Sequence, residues 1–281
     1  MEIRYLTQEE KAASRALYEE IFVEDEKAFV DAYYEIKTAD NQILAALEDG
    51  SILAMLHRNP YTFRFRGICV QADYLVAVAT RRPFRHQGLM RSLLTRALRD
   101  MERERQPFAF LMPADEAIYL PFDFRLMGNE DEEGLSALSE AEIKEEYDLY
   151  IEKDEVYERR HIAWPEWETT PMMIRPVHLP ALVKQVGAEE EQSILLSLTD
   201  PILPENQGTF RWEFTGEGSH LIPAVEEPEL TISIADMGSF LCGMLGPEEL
   251  SGMAEVREKR ELLKKLNRIQ VLNGIYINET V

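Results

Sequence analysis

Two cysteines, three tryptophans and five histidines in 281 residues leave little material for metal or redox chemistry. Cys69 and Cys242 stand far apart, with no CxxC pair and no Cys/His ligand spacing. That excludes a zinc ribbon, a thioredoxin-like centre or a disulfide scaffold, so both thiols are expected buried and reduced, and no metal is expected. Long apolar runs are also missing: stretches such as Tyr74 to Ala79 fall far short of the roughly 20 residues a membrane span requires. The opening MEIRYLTQEE has no basic stretch ahead of an apolar one, so no secretion signal is read and the expected location is cytoplasmic. Positive charge is scarce, with 30 Lys and Arg against 52 Asp and Glu and a net charge of −22. A field of that sign repels polyanions, which argues against nucleic acid or an anionic membrane as partner. No internal repeat and no low-complexity tract beyond the acidic ones is visible.

What is present has the composition of a globular protein, 45% hydrophobic and 29% charged, with length for about two domains at roughly 150 residues each. MEIRYL alternates like a short strand, and Thr7 with Glu10 forms a capping-box pattern before a helical run. Ile43–Leu47, an Asp49-Gly50 turn, Ile52–Leu56 and Tyr61–Arg66 read as an antiparallel meander. Tyr74–Thr80 is a further strand, followed by the loop RRPFRHQG, a helix from Leu89 with apolar residues at helical spacing, and a strand over Phe108–Met112. The acidic run Asn129–Gly134 marks a boundary, and EAEIKEEYDLYIEKDEVYERR reads as charged, surface-exposed helix. Beyond a connector rich in Trp, Pro and Thr, a second unit predicts a helix around Leu179–Gln185. Strands over Ser193–Leu198, Phe210–Phe214 and Leu230–Ile234 follow, and then a helical turn capped by Asp236.

One segment inverts the charge of the whole. Between Arg81 and Arg105 there are eight arginines against three acids. A basic cluster where a strand feeds a loop and then a helix suits an anionic ligand, because the first amide N–H groups of a helix are unpaired and its dipole favours negative charge there. Gly88 would let the backbone come close to such a ligand. The alternative is an amphipathic helix whose exposed arginines pair with acidic neighbours.

The run from Val78 through Arg85-His86-Gln87-Gly88-Leu89 to Leu94 resembles motif A of the GNAT acyltransferases, R/Q-x-x-G-x-G/A after a strand. Met90 stands where that superfamily usually has Gly or Ala, a feature shared with the Eis-like acetyltransferases. The segment Ala114–Phe124 with Tyr119, and the C-terminal stretch from Pro171 with its MMIRPVHLPALV entry, resemble the same subgroup. The fold class so implied is α+β. A GNAT fold, a mixed and mostly antiparallel sheet flanked by helices, is expected over residues 1–130. An acidic helical linker follows over 131–170, and a sterol-carrier-like α/β domain over 171–281. Eis-like proteins carry a second GNAT-like unit in the middle, for which residues 129–170 are too few.

The resemblance implies an acetyl-CoA-dependent N-acetyltransferase acting on a primary amine of a cationic small molecule or a peptide lysine. Its implied cofactor contacts are the backbone of Val78, Ala79 and Thr80 along the pantetheine arm, and the amides of His86, Gln87, Gly88, Leu89, Met90 and Arg91 on the pyrophosphate. Arg85 and Arg91 would add charge, and Ala114 and Asp115 would touch the cofactor from the next strand end. Tyr119 would be the general acid, a phenol of ordinary pKa about 10 donating to the departing thiolate. The terminal carboxylate of Val281 would take the proton of the amine. Homo-oligomerisation is implied in the same way. Two other readings stay open: a carrier of an apolar ligand in the C-terminal domain, and a coenzyme A-binding regulator without turnover. Trp164, Trp167 and Trp212 read as packing residues or as the lining of an acceptor pocket, and Gly216-Glu217-Gly218 lacks the third glycine and the helix of a dinucleotide loop.

Overall fold

The computed structural model describes residues 1–127, 138–162, 171–253 and 259–279. In chain order the elements are β1 Glu2–Tyr5, α1 Arg15–Ile21, α2 Lys27–Ile36, β2 Gln42–Glu48, β3 Ser51–Phe65, β4 Ile68–Thr80, α3 Leu89–Arg103 and β5 Phe108–Leu111. Next come α4 Glu116–Tyr119, β6 Arg125–Leu126, α5 Glu140–Glu146, β7 Leu149–Ile151, α6 Glu155–Arg160, β8 Met173–Pro176 and α7 Leu179–Val183. The last are β9 Gln192–Thr199, β10 Gly208–Phe214, β11 Ser219–Pro223, β12 Leu230–Ser233, α8 Ile234–Leu241, α9 Pro247–Met253, α10 Lys259–Asn267 and β13 Ile275–Tyr276.

Two mixed sheets result. The first runs β1-β2-β3-β4-β5-β8-β6, with β7 added to the far end of β3 and β13 to β7. Its pairs are antiparallel except β4 with β5 and β13 with β7. The second is β11-β10-β9-β12, antiparallel except β12 with β9. The β2–β3 hairpin turns on Asp49 and Gly50, both at positive φ as its tight turn requires. α3 buries Leu89, Leu93, Leu94, Ala97, Leu98 and Met101 as one stripe against the first sheet.

Several details depart from the sequence reading. The meander's two apolar runs merge into one 15-residue strand, β3, because Arg58 and Asn59 between them are themselves buried and hydrogen-bonded. The segment read as a single charged helix is helix, strand, helix. Leu149 and Ile151 alternate with Tyr150 and dock on Phe65 and Phe63, so burial of two apolar side chains outweighs the helical propensity of their neighbours. At Thr7 half of the capping box forms: the Glu10 carboxylate accepts the Thr7 N–H at 2.9 Å and is also held by Arg4. The residues after it form a 3₁₀ turn, Lys11–Ser14, before α1 begins. The cap of α8 is Ser233, with Asp236 completing a capping box three residues in. Cys69 is exposed, since it opens β4 beside the Arg66-Gly67 hairpin beyond the reach of the core, and Cys242 is half-buried. The acidic run Asn129–Gly134 and the tryptophans Trp164 and Trp167 lie outside the described residues. Trp212 is fully buried and donates from Nε1 to Ser219 Oγ at 2.7 Å, a packing role.

Candidate functional site

The site begins as a fork in the first sheet. β4 and β5 run parallel and touch at one register pair, Tyr74 with Phe110. Beyond it, Leu75 to Thr80 have no strand partner on that side among the described residues, while on the other side Ala79 and Thr80 stay paired with Met55 and Ala54. The β3–β4 register also slips between Met55 and His57, with Ala77 at φ 49°. Such a bulge leaves ladder groups unpaired and re-aims them, here on the lip of the fork, where Ala77 and Val78 are half-buried.

The loop after β4 delivers the chain to α3 through His86 at φ 61° and Gly88 at φ 80°. A Cβ on Gly88 would meet no atom within 4 Å, so conformation and not crowding favours glycine there. Among the described residues, none of the N–H groups of His86, Gln87, Gly88, Leu89, Met90 or Arg91 donates a hydrogen bond; the first that does is Ser92, to the Gly88 carbonyl at 3.0 Å. Leu89 is buried and Met90 half-buried beneath, whereas His86, Gln87, Gly88 and Arg91 are exposed.

The arginines differ in their partners. Arg81 is paired with Glu20, and Arg96 and Arg103 share Asp100. Around the free amides, Arg82, Arg85 and Arg91 have no carboxylate partner among the described residues. Arg85 donates to the Thr80 carbonyl at 3.2 Å, and Arg91 lies over the Phe122 ring at 4.9 Å. Pairing with carboxylates therefore accounts for Arg81, Arg96 and Arg103, while among the described residues Arg82, Arg85 and Arg91 near the helix start, and Arg99 and Arg105 further along, are left without it. Unpaired donors and unpaired positive charge meet at one helix N-terminus, a combination suited to phosphate.

Across the fork, the Asp115 carboxylate caps α4 by accepting the Ala117 N–H at 2.9 Å; Asp115 and Ala114 are exposed. Tyr119 ends that helix, buried against Phe124, and its hydroxyl makes no hydrogen bond to any described residue. Burial pushes its pKa up to about 12, so it remains a proton donor throughout the neutral range.

Sequence reasoning missed a second cluster. Tyr74 stacks on Phe110 at 4.9 Å and meets the Tyr61 ring edge-on at 6.1 Å. The Tyr61 hydroxyl donates to the Glu279 carboxylate at 3.1 Å and accepts from Lys37 Nζ at 3.0 Å, and Tyr157 donates to the same carboxylate at 2.7 Å. Burial pulls the Lys37 ammonium down to about 8. Burial first, then the charges of Glu279, Tyr33 and Tyr119, hold the Tyr74 hydroxyl well above its ordinary range. Beside them a hollow of about 150 Å³ opens where Asn59 to Tyr61, paired with β4 on one side, have no described strand on the other, between the start of β2 and the end of β7. Asp40, Glu152 and Asp154 face Lys37 and Arg160 around it. Val281 lies outside the described residues, and Glu279 is the buried carboxylate of the C-terminal segment.

Residues 2–127 match the acetyltransferase (GNAT) domain family, and residues 179–273 match the sterol carrier protein domain family. No curated protein matches the chain in sequence. Solved structures share the fold over nearly the whole length. A conserved Enterococcus faecalis V583 protein, named a probable N-acyltransferase, is 12% identical over 98% of this chain and 99% of that one, with a TM-score of 0.74. A GCN5-related N-acetyltransferase from Kribbella flavida is 14% identical over 94% and 95%, at 0.66. Eis1 from Mycobacterium abscessus is 12% identical over 100% and 99%, at 0.65. Among the described residues no helix is long and apolar enough to cross a membrane.

Proposed function

Because this chain is a GNAT-type N-acetyltransferase domain continued into a sterol-carrier-type domain, we propose that it moves an acetyl group from acetyl-CoA directly onto a primary amine. The observation that carries this reading is the row of unpaired amides from His86 to Arg91 at the mouth of the fork, flanked by the unpaired Arg82, Arg85 and Arg91. Those amides would hold the pyrophosphate, and the free edge of Val78, Ala79 and Thr80 would accept the pantetheine arm as an added strand. Ala114 and Asp115 close the opposite side.

When the amine nitrogen attacks the thioester carbonyl, a C–N bond forms and the C–S bond breaks. Tyr119 donates its phenolic proton to the departing sulfur, and the proton lost by the amine passes to the buried carboxylate of Glu279 by way of Tyr61. Holding the two reactants in one cleft supplies much of the rate. The hollow beside Tyr61 would take the acceptor, a cationic small molecule or a peptide lysine that the −22 net charge concentrates.

Calorimetric titration with acetyl-CoA tests the cofactor site. Micromolar binding is expected for the native chain, abolished in Gly88→Glu by the new carboxylate and only weakened in Gly88→Ala, since a methyl group there meets open space. An acetylation screen over aminoglycoside-like amines, polyamines and lysine peptides should then find turnover. Absence of acetyl-CoA binding would overturn the reading and leave the fold without the activity, and binding without turnover of any amine would leave a coenzyme A-binding regulator.

A further inference from the structure

We propose that Asp200, in the second domain, is a positioning residue for Tyr119, acting through the buried guanidinium of Arg175; the proposal rests on Tyr119 being the proton donor. Arg175 lies in β8, opposite Ala109 of β5, with no exposed surface. Its Nε donates to the Phe122 carbonyl at 2.8 Å, Nη1 to the Pro176 carbonyl at 2.6 Å and Nη2 to Asp200 Oδ1 at 2.7 Å. Asp200 is fixed in its own domain: its carboxylate accepts the N–H groups of Ile202 at 3.0 Å and Leu203 at 2.9 Å, and Asn206 Nδ2 at 3.0 Å. Asn206 in turn donates to the Val177 carbonyl at 2.8 Å.

The other end of this chain of contacts is the turn that carries Tyr119. Leu120–Phe122 continue α4 as a 3₁₀ turn, and Asp123 closes it in the left-handed region at φ 63°. The Phe122 carbonyl is held by Arg175, and the Phe122 ring lies beneath Arg91 in the first turn of α3. The turn is thus pinned at its carbonyl from the second domain and at its ring from the candidate phosphate helix. Tyr119 has no hydrogen bond of its own among the described residues to fix its hydroxyl, so its aim depends on the turn. A guanidinium can hold three acceptors in one plane, a task no single-point cation performs. Buried ion pairs of this kind add little net stability over apolar packing. Holding the turn is the work that the geometry gives this one.

The test is a double-mutant cycle on the full-length chain. Asp200→Asn keeps the shape of the side chain and removes the charge that orients Arg175. We expect kcat to fall about ten- to a hundredfold, the cost of a misplacement near 1 Å, with the KM for acetyl-CoA unchanged. In a Tyr119→Phe background the same substitution should cost less than twofold, because the group it positions is gone. Equal cost in both backgrounds would reduce Asp200 to a structural residue and overturn the proposal, as would an unchanged kcat in Asp200→Asn. A Tyr119→Phe variant with full activity would instead overturn the reading of Tyr119 itself. If Asp200→Asn does not fold, Arg175→Lys carries the same comparison: it keeps a positive partner for Asp200 and gives up the planar reach to Phe122.

Discussion

His57, in the middle of β3, has no exposed surface, and its Nδ1 lies 2.9 Å from the Tyr33 hydroxyl while its Nε2 has no partner among the described residues. Burial first, and the nearby Lys11 charge second, push its pKa down to about 3, against an ordinary value of 6.5. Between those values the unfolded chain binds a proton that the folded chain refuses. The contribution is therefore fully present above pH 6.5 and is lost as pH falls below it, by up to about 1.4 kcal/mol per pH unit, or roughly 2 kcal/mol at pH 5. Urea unfolding followed from pH 7 to pH 4.5 should show a shallower loss of stability in His57→Gln than in the native chain, and equal slopes would refute the assignment. Residues of this kind are hard to find in a sequence. Nothing local to His57, Lys37 or Tyr61 announces burial, and Tyr61 meets Glu279 across 218 positions of chain. Tyr119 was legible only through its family resemblance, since a tyrosine between Ile118 and Leu120 otherwise reads as core.

Among the elements, the strand, loop and helix from Tyr74 to Arg103 were readable because three independent signals coincide: a short apolar run, a glycine in the loop and a helical stripe beginning one residue later. β7 was not, being three residues long and set in a charged run whose composition favours helix. The fork itself was also invisible, because where two strands part is decided by what each packs against. A comparable close fit holds α8 on β8. A Cβ placed on Gly238 would come within 2.8 Å of both Cγ and Cδ of Pro176, a rigid ring next to Arg175. Gly238→Ala should destabilise the protein by about 1–3 kcal/mol as overpacking, while Gly216→Ala, whose new methyl meets nothing within 4 Å, should stay within about 0.5 kcal/mol. Thermal unfolding of the two variants side by side decides the point, and equal melting temperatures would contradict the packing argument.

The whole molecule is more interlocked than two consecutive domains would be. Strands from each of the stretches 1–130, 131–170 and 171–281 share the first sheet: β7 covers the edge of Phe63 and Phe65, β8 covers β5, and β13 completes the outer edge. Arg66, at the β3–β4 hairpin, donates to the carbonyls of Gln185 and Val271 at 2.8 Å each, and Arg175 reaches Asp200. A fragment of residues 1–130 would leave the four buried residues of β5 and the end of β3 uncovered. It should be insoluble alone and recovered in soluble form when co-expressed with residues 131–281. A monomeric, cooperatively unfolding fragment 1–130 would show that the added strands are dispensable.

The place of β13 sets an order of events in the cell. Ile275 and Tyr276 pair with β7 in a sheet that also holds Glu2–Tyr5, so strands far apart in the chain belong to one structure. At about 5–20 residues per second a ribosome spends on the order of tens of seconds between them. Through that interval the sheet waits with its outer edge open, and Tyr61 and Tyr157 wait for the carboxylate of Glu279. The sheet closes only after Ile275 and Tyr276 have been made, so residues 1–127 are held for that whole interval in a sheet that lacks β13.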